Sequence, residues 1–270
     1  MKTVHAAGAA LVLTTATAQV LSVANATSGY INYTTVTGYF LQDLATTNVS
    51  TFNYVSSSTL CCEAQASDNY QTATNFGLIN QTYPGSAAGL TQWQSFEQVV
   101  DALNAAAPLN TIYKVLFAGR HGEGFHNAAE TFYGTPAWNC YWSLLDGNAT
   151  TVWEDADLTN NGIAQAQIAH NFWQHEITTQ HIPYPQSYYT SPLTRCLRTA
   201  NITFSGLDLP VYYPFVPTVK ELLREGISLH TCDHRSNRTY IHERFPTYEI
   251  EPTLTEYDEI WNGVTAETSA

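Results

Sequence analysis

Apolar and polar positions along the chain predict alternating helices and strands from about residue 92 onward. Apolar side chains recur at helical spacing over Gln92–Ala106, and Pro108 closes that helix. The run Ile112–Phe117 is typical of a buried strand. A further helical pattern extends from Gly162 to about Glu176, with the Thr159 hydroxyl placed to cap its first turn. The pattern therefore predicts a helix, a strand and a second helix in succession.

The second half of the chain continues this alternation. Gln186–Thr190 predicts a short strand, and a helix follows from Leu193 onward. Val211–Pro214 predicts another strand, and Val219–Arg224 predicts a short helix. Such alternation indicates βαβ units built around a central, mostly parallel sheet, so the chain is predicted to be an α/β protein.

The first part of the chain shows little periodicity. Residues 27 to about 60 are rich in Thr, Ser, Asn and Tyr, and they predict an extended or irregular arm. Tyr83–Gly85 predicts a turn, because proline and glycine stand together there. Since no linker separates the arm from the rest, residues 27–270 are predicted to form a single domain.

The amino terminus resembles a secretory signal. Lys2 supplies a positive start, and Ala6–Val20 is a short, threonine-containing apolar stretch. The predicted signal covers residues 1–18, with cleavage at that point or as late as residue 26; the alternative is an ordinary apolar helix. Asn-x-Ser/Thr sequons support export with N-glycans, and they begin at Asn25, Asn32, Asn48, Asn80, Asn148, Asn201 and Asn237. We therefore expect a secreted, extracellular glycoprotein that is not bound to a membrane after signal cleavage.

Composition narrows the range of partners. Among 270 residues only ten are Lys or Arg, and the formal net charge is −13. This balance argues against nucleic acid and anionic membranes as partners. An exported chain with five cysteines, Cys61, Cys62, Cys140, Cys196 and Cys232, is expected to contain disulfides, with connectivity open and at least one cysteine unpaired within the chain. The absence of a Cys-x-x-Cys pattern argues against a zinc site.

Charged side chains follow the predicted strand Ile112–Phe117 directly. Arg120, His121 and Glu123 stand among glycines, which allow the backbone to turn sharply and to approach a ligand. Open α/β folds bind ligands at the carboxyl ends of their strands. His121 offers a nucleophilic nitrogen and Arg120 a planar donor pair suited to phosphate oxygens. The loop is thus equipped to take up a phosphoryl group on histidine.

At these residues the sequence resembles the histidine phosphatase superfamily, which includes the phosphoglycerate mutases. Arg120-His121-Gly122-Glu123 matches its Arg-His-Gly signature, and Asn127 falls where the mutase branch often has asparagine. The resemblance implies a three-layer α/β/α, phosphoglycerate-mutase-like fold. It also implies that Arg120 and Asn127 bind phosphate, with Glu123 a further candidate in the same loop.

Two later stretches are also similar to that family. Arg195, in the helix after Ser191-Pro192, matches an arginine of the family's phosphate pocket; Arg198 either flanks that pocket or pairs with an acid. Glu225 lies where phosphoglycerate-mutase-like members keep their acid/base glutamate. Its alternative role is that of a structural partner of Arg224 or Arg235.

The resemblance implies a phosphomonoesterase-type hydrolase, with His121 as nucleophile and Glu225 as proton donor, acting on a small phosphorylated substrate. Neither a metal nor a cofactor is expected to take part, and phosphatase and mutase activity both remain open. The family's second histidine is not found near the carboxyl end, where the last histidine is His242. We therefore expect a carboxyl-terminal truncation. The alternative is a catalytically impaired phosphate-binding or interaction protein that keeps the fold.

Overall fold

The computed structural model describes residues 5–8, 32–48 and 75–267. The chain divides into two compact units, one formed by residues 1–120 with 174–183 and the other by 121–173 with 184–270. The predicted signal apart from His5–Gly8, most of the predicted arm, and Asn25, Cys61 and Cys62 lie outside the described residues.

Two parallel strands and a capped helix form the first unit. Strand β1 (His5–Gly8) runs parallel to β2 (Tyr113–Leu116), within the predicted strand. Helix α1 (Gln92–Ala105) confirms the predicted helix almost to the residue. It begins there because the Thr91 hydroxyl accepts a hydrogen bond from the Gln94 amide at 3.2 Å, while the Gln94 side chain accepts one from the Thr91 amide at 3.0 Å.

Aromatic side chains build the core of this first unit. Phe40, Phe76, Trp93 and Phe96 are buried, and the rings of Phe40 and Phe96 meet edge to face with centroids 5.4 Å apart. Phe40 belongs to the predicted irregular arm, whose described part contains only bridges, turns and one 3₁₀ turn. The described part of the arm thus contributes a buried ring to the core.

Helices begin the second unit. These are α2 (Phe125–Tyr133), α3 (Thr135–Cys140) and α4 (Asn160–His175). The last two residues of α4 and the π-helical turn that follows it, Glu176–Gln180, belong to the first unit. Thr159 caps α4 as predicted, because its hydroxyl accepts a hydrogen bond from the Gly162 amide at 3.1 Å.

A three-stranded parallel sheet completes the second unit. It consists of β3 (Tyr188–Thr190), β4 (Pro217–Val219) and β5 (Glu249–Ile250), with β4 in the middle. Helix α5 (Thr194–Phe204) follows β3 and helix α6 (Arg238–Arg244) precedes β5. The named strands pair only in parallel within the described residues, which confirms the α/β class. Of its described helices, none is long and apolar enough to cross a membrane.

The strand predicted at Val211–Pro214 is wrong, since those residues form a turn and the strand lies at Pro217–Val219. The Tyr213 amide donates to the Pro210 carbonyl at 2.9 Å, and Val211 is 95% exposed. Val219, by contrast, is fully buried in a cluster with Leu197 of α5. The predicted short helix is a 3₁₀ turn, Glu221–Leu223.

The cysteines that the structure describes do not support the predicted disulfides. Cys140 on α3, Cys196 on α5 and Cys232 are free thiols. Cys140 is exposed and Cys232 is buried against Trp138 and Trp153, so each is held in its own packing environment. Cys61 and Cys62 lie outside the described residues, so a disulfide of either one stays a prediction.

Candidate active site

The histidine loop, residues 121–124, packs against the first turn of α4. The Glu123 amide donates to the Gln165 side chain at 2.7 Å, and the Glu123 carbonyl accepts from the Thr159 amide at 2.9 Å. A Cβ at Gly122 would lie 2.4 Å from the Gly162 carbonyl oxygen, and one at Gly162 would lie 2.1 Å from the Glu123 carbonyl oxygen. Only glycine fits at these two positions without a backbone shift. This close packing of the loop backbone against α4 holds His121, the residue before Gly122, in place.

The ring of His121 is buried and held in one orientation. Its Nδ1 lies 2.6 Å from the Gly122 carbonyl oxygen, which can only accept, so Nδ1 carries the proton. The neutral ring therefore has its lone pair on Nε2. Within the described part of the chain Nε2 makes no hydrogen bond. The Gly122 amide donates to the Thr199 hydroxyl of α5 at 3.1 Å, which also ties the loop to that helix.

Arg195 reaches the site from the first turn of α5, which starts four residues after β3 ends. Asp155 caps this turn from a distant loop: one carboxylate oxygen accepts the Thr194 amide at 2.8 Å and the other accepts the Thr194 hydroxyl at 2.6 Å. The guanidinium of Arg195 is fully buried, and its Nη1 donates to the Cys232 carbonyl at 2.7 Å. The charge is therefore fixed in place rather than solvated.

Glu225 lies between these two groups. One of its oxygens, Oε1, accepts a hydrogen bond from Arg195 Nη2 and lies 3.7 Å from His121 Nε2, which is ion-pair distance but too long for a hydrogen bond. Interaction with the His121 ring and the Arg195 guanidinium holds the pKa of Glu225 well below its ordinary value, although burial opposes this. With 44% of its side chain exposed, the carboxylate forms the outer face of the cluster.

The topology explains why Arg195 and Glu225 meet. Strands β3 and β4 are parallel neighbours, with Thr190 in register with Val219, so their carboxyl ends lie at one edge. Arg195 follows the first of these ends by five residues and Glu225 follows the second by six. His121 Nε2 and Arg195 Nη2 both approach the same oxygen of Glu225, so one phosphate-sized group could reach both.

The other candidates have different surroundings. Glu123 accepts from the Thr159 hydroxyl at 2.6 Å, and Asn127 accepts from the Gly124 amide at 3.0 Å, so both side chains stabilise the loop and the start of α2. Arg198 pairs with Asp157 at 2.8 Å, as its alternative role required. Arg120 is exposed and belongs to the first unit, so its phosphate-binding role stays a prediction.

Glu225 does not take its alternative structural role in the described network. Glu221 does so instead, because its carboxylate accepts from Arg224 at 3.0 Å and from the Arg235 Nε at 2.9 Å. These two arginines are therefore held by Glu221, an acid four residues before Glu225 in the chain.

His126 is a further member of the cluster, and the predicted site residues did not include it. It lies on the first turn of α2, is 7% exposed, and its ring centroid is 5.3 Å from that of His121. A Cβ at Gly124 would lie 2.6 Å from His126 Nδ1, so the glycine two residues earlier makes room for the ring. That spacing was visible in the sequence, but a second loop histidine has many structural explanations.

Comparison with known proteins finds related sequences. The sequence profile of the histidine phosphatase superfamily (branch 1) matches residues 142–226. A protein of Arthroderma benhamiae named probable phosphoglycerate mutase is 47% identical over 245 residues, covering 89% of this chain and 68% of the relative.

More distant relatives come from two yeasts. Phosphomutase-like protein 3 of Candida albicans is 36% identical over 68% of this chain and 54% of its own length. A probable phosphoglycerate mutase of Saccharomyces cerevisiae is 32% identical over 61% of this chain and 62% of its own. The chain thus spans 54–68% of the lengths of these three relatives. No solved structure matches it significantly.

Proposed function

Because the chain belongs to the histidine phosphatase superfamily, in its phosphoglycerate-mutase-like branch, we propose that it is a phosphomonoesterase-type hydrolase acting through a phosphohistidine intermediate. One observation carries the proposal: His121 Nε2, which holds the lone pair of the neutral ring, and the buried charge of Arg195 face a single point, now occupied by Glu225 Oε1. A nucleophile and a fixed cation at one point are what phosphoryl transfer requires.

The first step breaks the ester bond. His121 Nε2 attacks phosphorus in line with the leaving oxygen, forming an N–P bond while the O–P bond breaks. Arg195 neutralises charge on the phosphoryl oxygens, and it needs no reorganisation because Cys232 and α5 already hold it. We assign Arg120 to the same task from its place in the sequence motif.

Glu225 provides the proton for the leaving oxygen. A phosphate group at Arg195 displaces the carboxylate from that arginine, and its negative charge raises the pKa of Glu225, so the carboxyl can take up and then deliver a proton. Glu225 next accepts a proton from the water that attacks phosphohistidine. This step releases inorganic phosphate and restores His121.

Two variants test this mechanism. His121→Asn should abolish turnover of p-nitrophenyl phosphate and of alkyl phosphates, and it should prevent an acid-labile, alkali-stable phosphoenzyme from forming. Glu225→Gln should slow alkyl phosphates by about 10²–10⁴-fold but p-nitrophenyl phosphate far less, since nitrophenolate leaves without a proton. Full activity in His121→Asn, or equal losses for both leaving groups in Glu225→Gln, would contradict the assigned roles.

A second candidate is a phosphate-binding protein without turnover. The observation that favours it is the Arg195–Glu225 ion pair, which occupies the arginine face that phosphate needs. The two candidates predict equal phosphate binding by calorimetry, but only the enzyme releases phosphate from esters over time. The names of two relatives also suggest a mutase activity. In that reaction the phosphoryl group passes from histidine to a second hydroxyl instead of water. Incubation with 3-phosphoglycerate separates the products of these two reactions.

A further inference from the structure

We propose that His121, His126 and Glu225 form an inhibitory binding site for a divalent transition-metal ion of the zinc class. One ligand atom from each of the three side chains lies within 4.8 Å of the others. The inhibitory consequence rests on the proposed function, because the ion would occupy the nitrogen that attacks phosphorus. The binding site itself does not rest on it.

The ligand chemistry suits such an ion. Imidazole nitrogens and a carboxylate oxygen are the usual ligands of zinc, and three protein ligands leave a fourth position for water or an anion. His121 Nε2 has the free lone pair that coordination requires, because Nδ1 donates to the Gly122 carbonyl. That nitrogen is buried and makes no hydrogen bond to any described residue. The same hydrogen bond fixes the ring and strengthens it as a ligand.

The distance between two of the three ligand atoms is close to that of a tetrahedral site. Ligand atoms at zinc bond lengths of about 2.0–2.2 Å stand about 3.3–3.6 Å apart in a tetrahedron. His121 Nε2 and Glu225 Oε1 are already 3.7 Å apart. The other ligand-atom distances are at most 4.8 Å, and the partly exposed side chain of Glu225 can move to shorten those that involve its carboxylate.

Arg195 opposes the ion, since its guanidinium holds Glu225 Oε1 and carries a like charge. Oε1 can coordinate an ion while it accepts from Arg195, because a carboxylate oxygen has two lone pairs. The expected result is a reversible site of moderate affinity rather than a structural zinc centre. Such an ion would block phosphoryl transfer without being needed for the fold.

The test uses the full chain and two metal ions. Co²⁺ is titrated while its visible d–d absorption is followed, and Zn²⁺ is then titrated by calorimetry and as a competitor. We expect one saturable ion per chain with the intense spectrum of a four-coordinate site. His126→Asn and Glu225→Gln should each weaken binding by more than about tenfold, a loss that removal of an outer-shell partner alone can cause. The matched control is His242→Asn, because His242 is exposed on α6 and should not change the affinity.

The outcomes are separable from those of the proposed function. Saturable binding that is lost in both cluster variants supports the site even if the protein hydrolyses no ester. In an active protein, Zn²⁺ should inhibit turnover over the same concentration range in which it binds. A phosphatase that shows no saturable Co²⁺ or Zn²⁺ binding overturns the site and leaves the enzyme intact. Binding that is equal in the wild type, Glu225→Gln and His126→Asn also overturns it, as weak capture by surface histidines.

Discussion

Two arginines of one helix show how much depends on the partner of a single residue. Arg195 is fully buried and bonded to the Cys232 carbonyl and to Glu225, whereas Arg198, three residues on, is half-buried and pairs with Asp157. Lysine keeps the charge but cannot donate to two partners in a fixed plane. Arg195→Lys should therefore lower kcat/KM by about 10²–10³-fold, the loss typical of one donor to transition-state charge.

Arg198→Lys is the matched control on the same helix. Because Arg198 pairs with Asp157, which Arg244 also holds at 2.6 Å, kcat/KM should stay near that of the wild type. Steady-state kinetics on p-nitrophenyl phosphate measure both variants, and thermal melting checks that both are folded. Comparable losses in the two variants would show that Arg195 has no special role.

Side chains that follow strand ends could be predicted from the sequence, whereas backbone atoms that bind the site's side chains could not. His121 and Arg195 follow strands that the sequence predicted, whereas the strand before Glu225 lies at Pro217–Val219 and was predicted at Val211–Pro214. Nothing in the sequence pointed to the Cys232 carbonyl as a partner of Arg195, because any residue supplies a carbonyl. Asp155 was missed for a related reason: it caps α5 across 39 positions, and only tertiary packing creates that contact.

At the scale of elements, the contact between the histidine loop and α4 depends on the absence of a side chain. Gly162→Ala would place its Cβ 2.1 Å from the Glu123 carbonyl oxygen, so the loop or the helix must shift. We expect a loss of about 1–3 kcal/mol in the free energy of unfolding, the usual cost of overpacking, together with reduced turnover as His121 moves.

Gly226→Ala is the control for stability, since a Cβ there meets no atom within 4 Å. Its free energy of unfolding should change little or rise slightly, because alanine restricts the unfolded chain. Urea denaturation of both variants supplies the comparison. A Gly162→Ala protein as stable as the wild type would mean that the loop adapts freely.

The π-helical turn after α4 contains a buried acid, Glu176, whose carboxylate accepts a hydrogen bond from the Trp93 indole at 3.0 Å. Burial raises the pKa of Glu176 to about 7, although the Trp93 hydrogen bond opposes the shift. The folded state therefore binds this proton more tightly than the unfolded state does. The stability that this proton contributes is fully present below the unfolded pKa and is lost as pH rises to about 7 and above.

Glu176→Gln removes the charge and keeps an acceptor for Trp93. It should stabilise the first unit by up to about 3 kcal/mol at pH 8 and by almost nothing near pH 4. Urea denaturation across this pH range provides the measurement, with Glu243→Gln, exposed on α6, as the control. A pH-independent difference between Glu176→Gln and the wild type would contradict the raised pKa.

Elements were predictable where a periodic pattern coincided with burial. Helix α1 was located because its apolar face and its capping residues agree. The strand at Pro217–Val219 was misplaced toward Val211–Pro214, since apolar and aromatic letters do not reveal whether a side chain is buried. The buried role of Phe40 was equally invisible, because the residues around it show no period.

At the scale of the whole molecule, the sequons bear on where the protein resides. Four of the described sequon asparagines are exposed, namely Asn32, Asn48, Asn80 and Asn148. Asn201 and Asn237 are half-buried, and the Asn237 side chain caps α6 by accepting from the Tyr240 amide at 2.7 Å. We propose that the protein is secreted and N-glycosylated, and that the four exposed asparagines are modified more fully than the two half-buried ones.

Expression in yeast with the native amino terminus provides the measurement. Glycosylated protein should appear in the medium, lose mass on deglycosylation, and show higher occupancy at the exposed sites by peptide mapping. Unmodified protein retained in the cytosol would contradict the proposal.

The described free thiols differ in reactivity, so the protein can be labelled selectively. Reagents such as maleimides attack the thiolate, and burial raises the pKa of the Cys196 thiol to about 11 and of the Cys232 thiol to about 12, so at neutral pH both stay almost wholly protonated. Cys140 is exposed on α3. Among these three thiols a fluorophore or spin label would therefore attach at Cys140, leaving Cys196 and Cys232 unmodified.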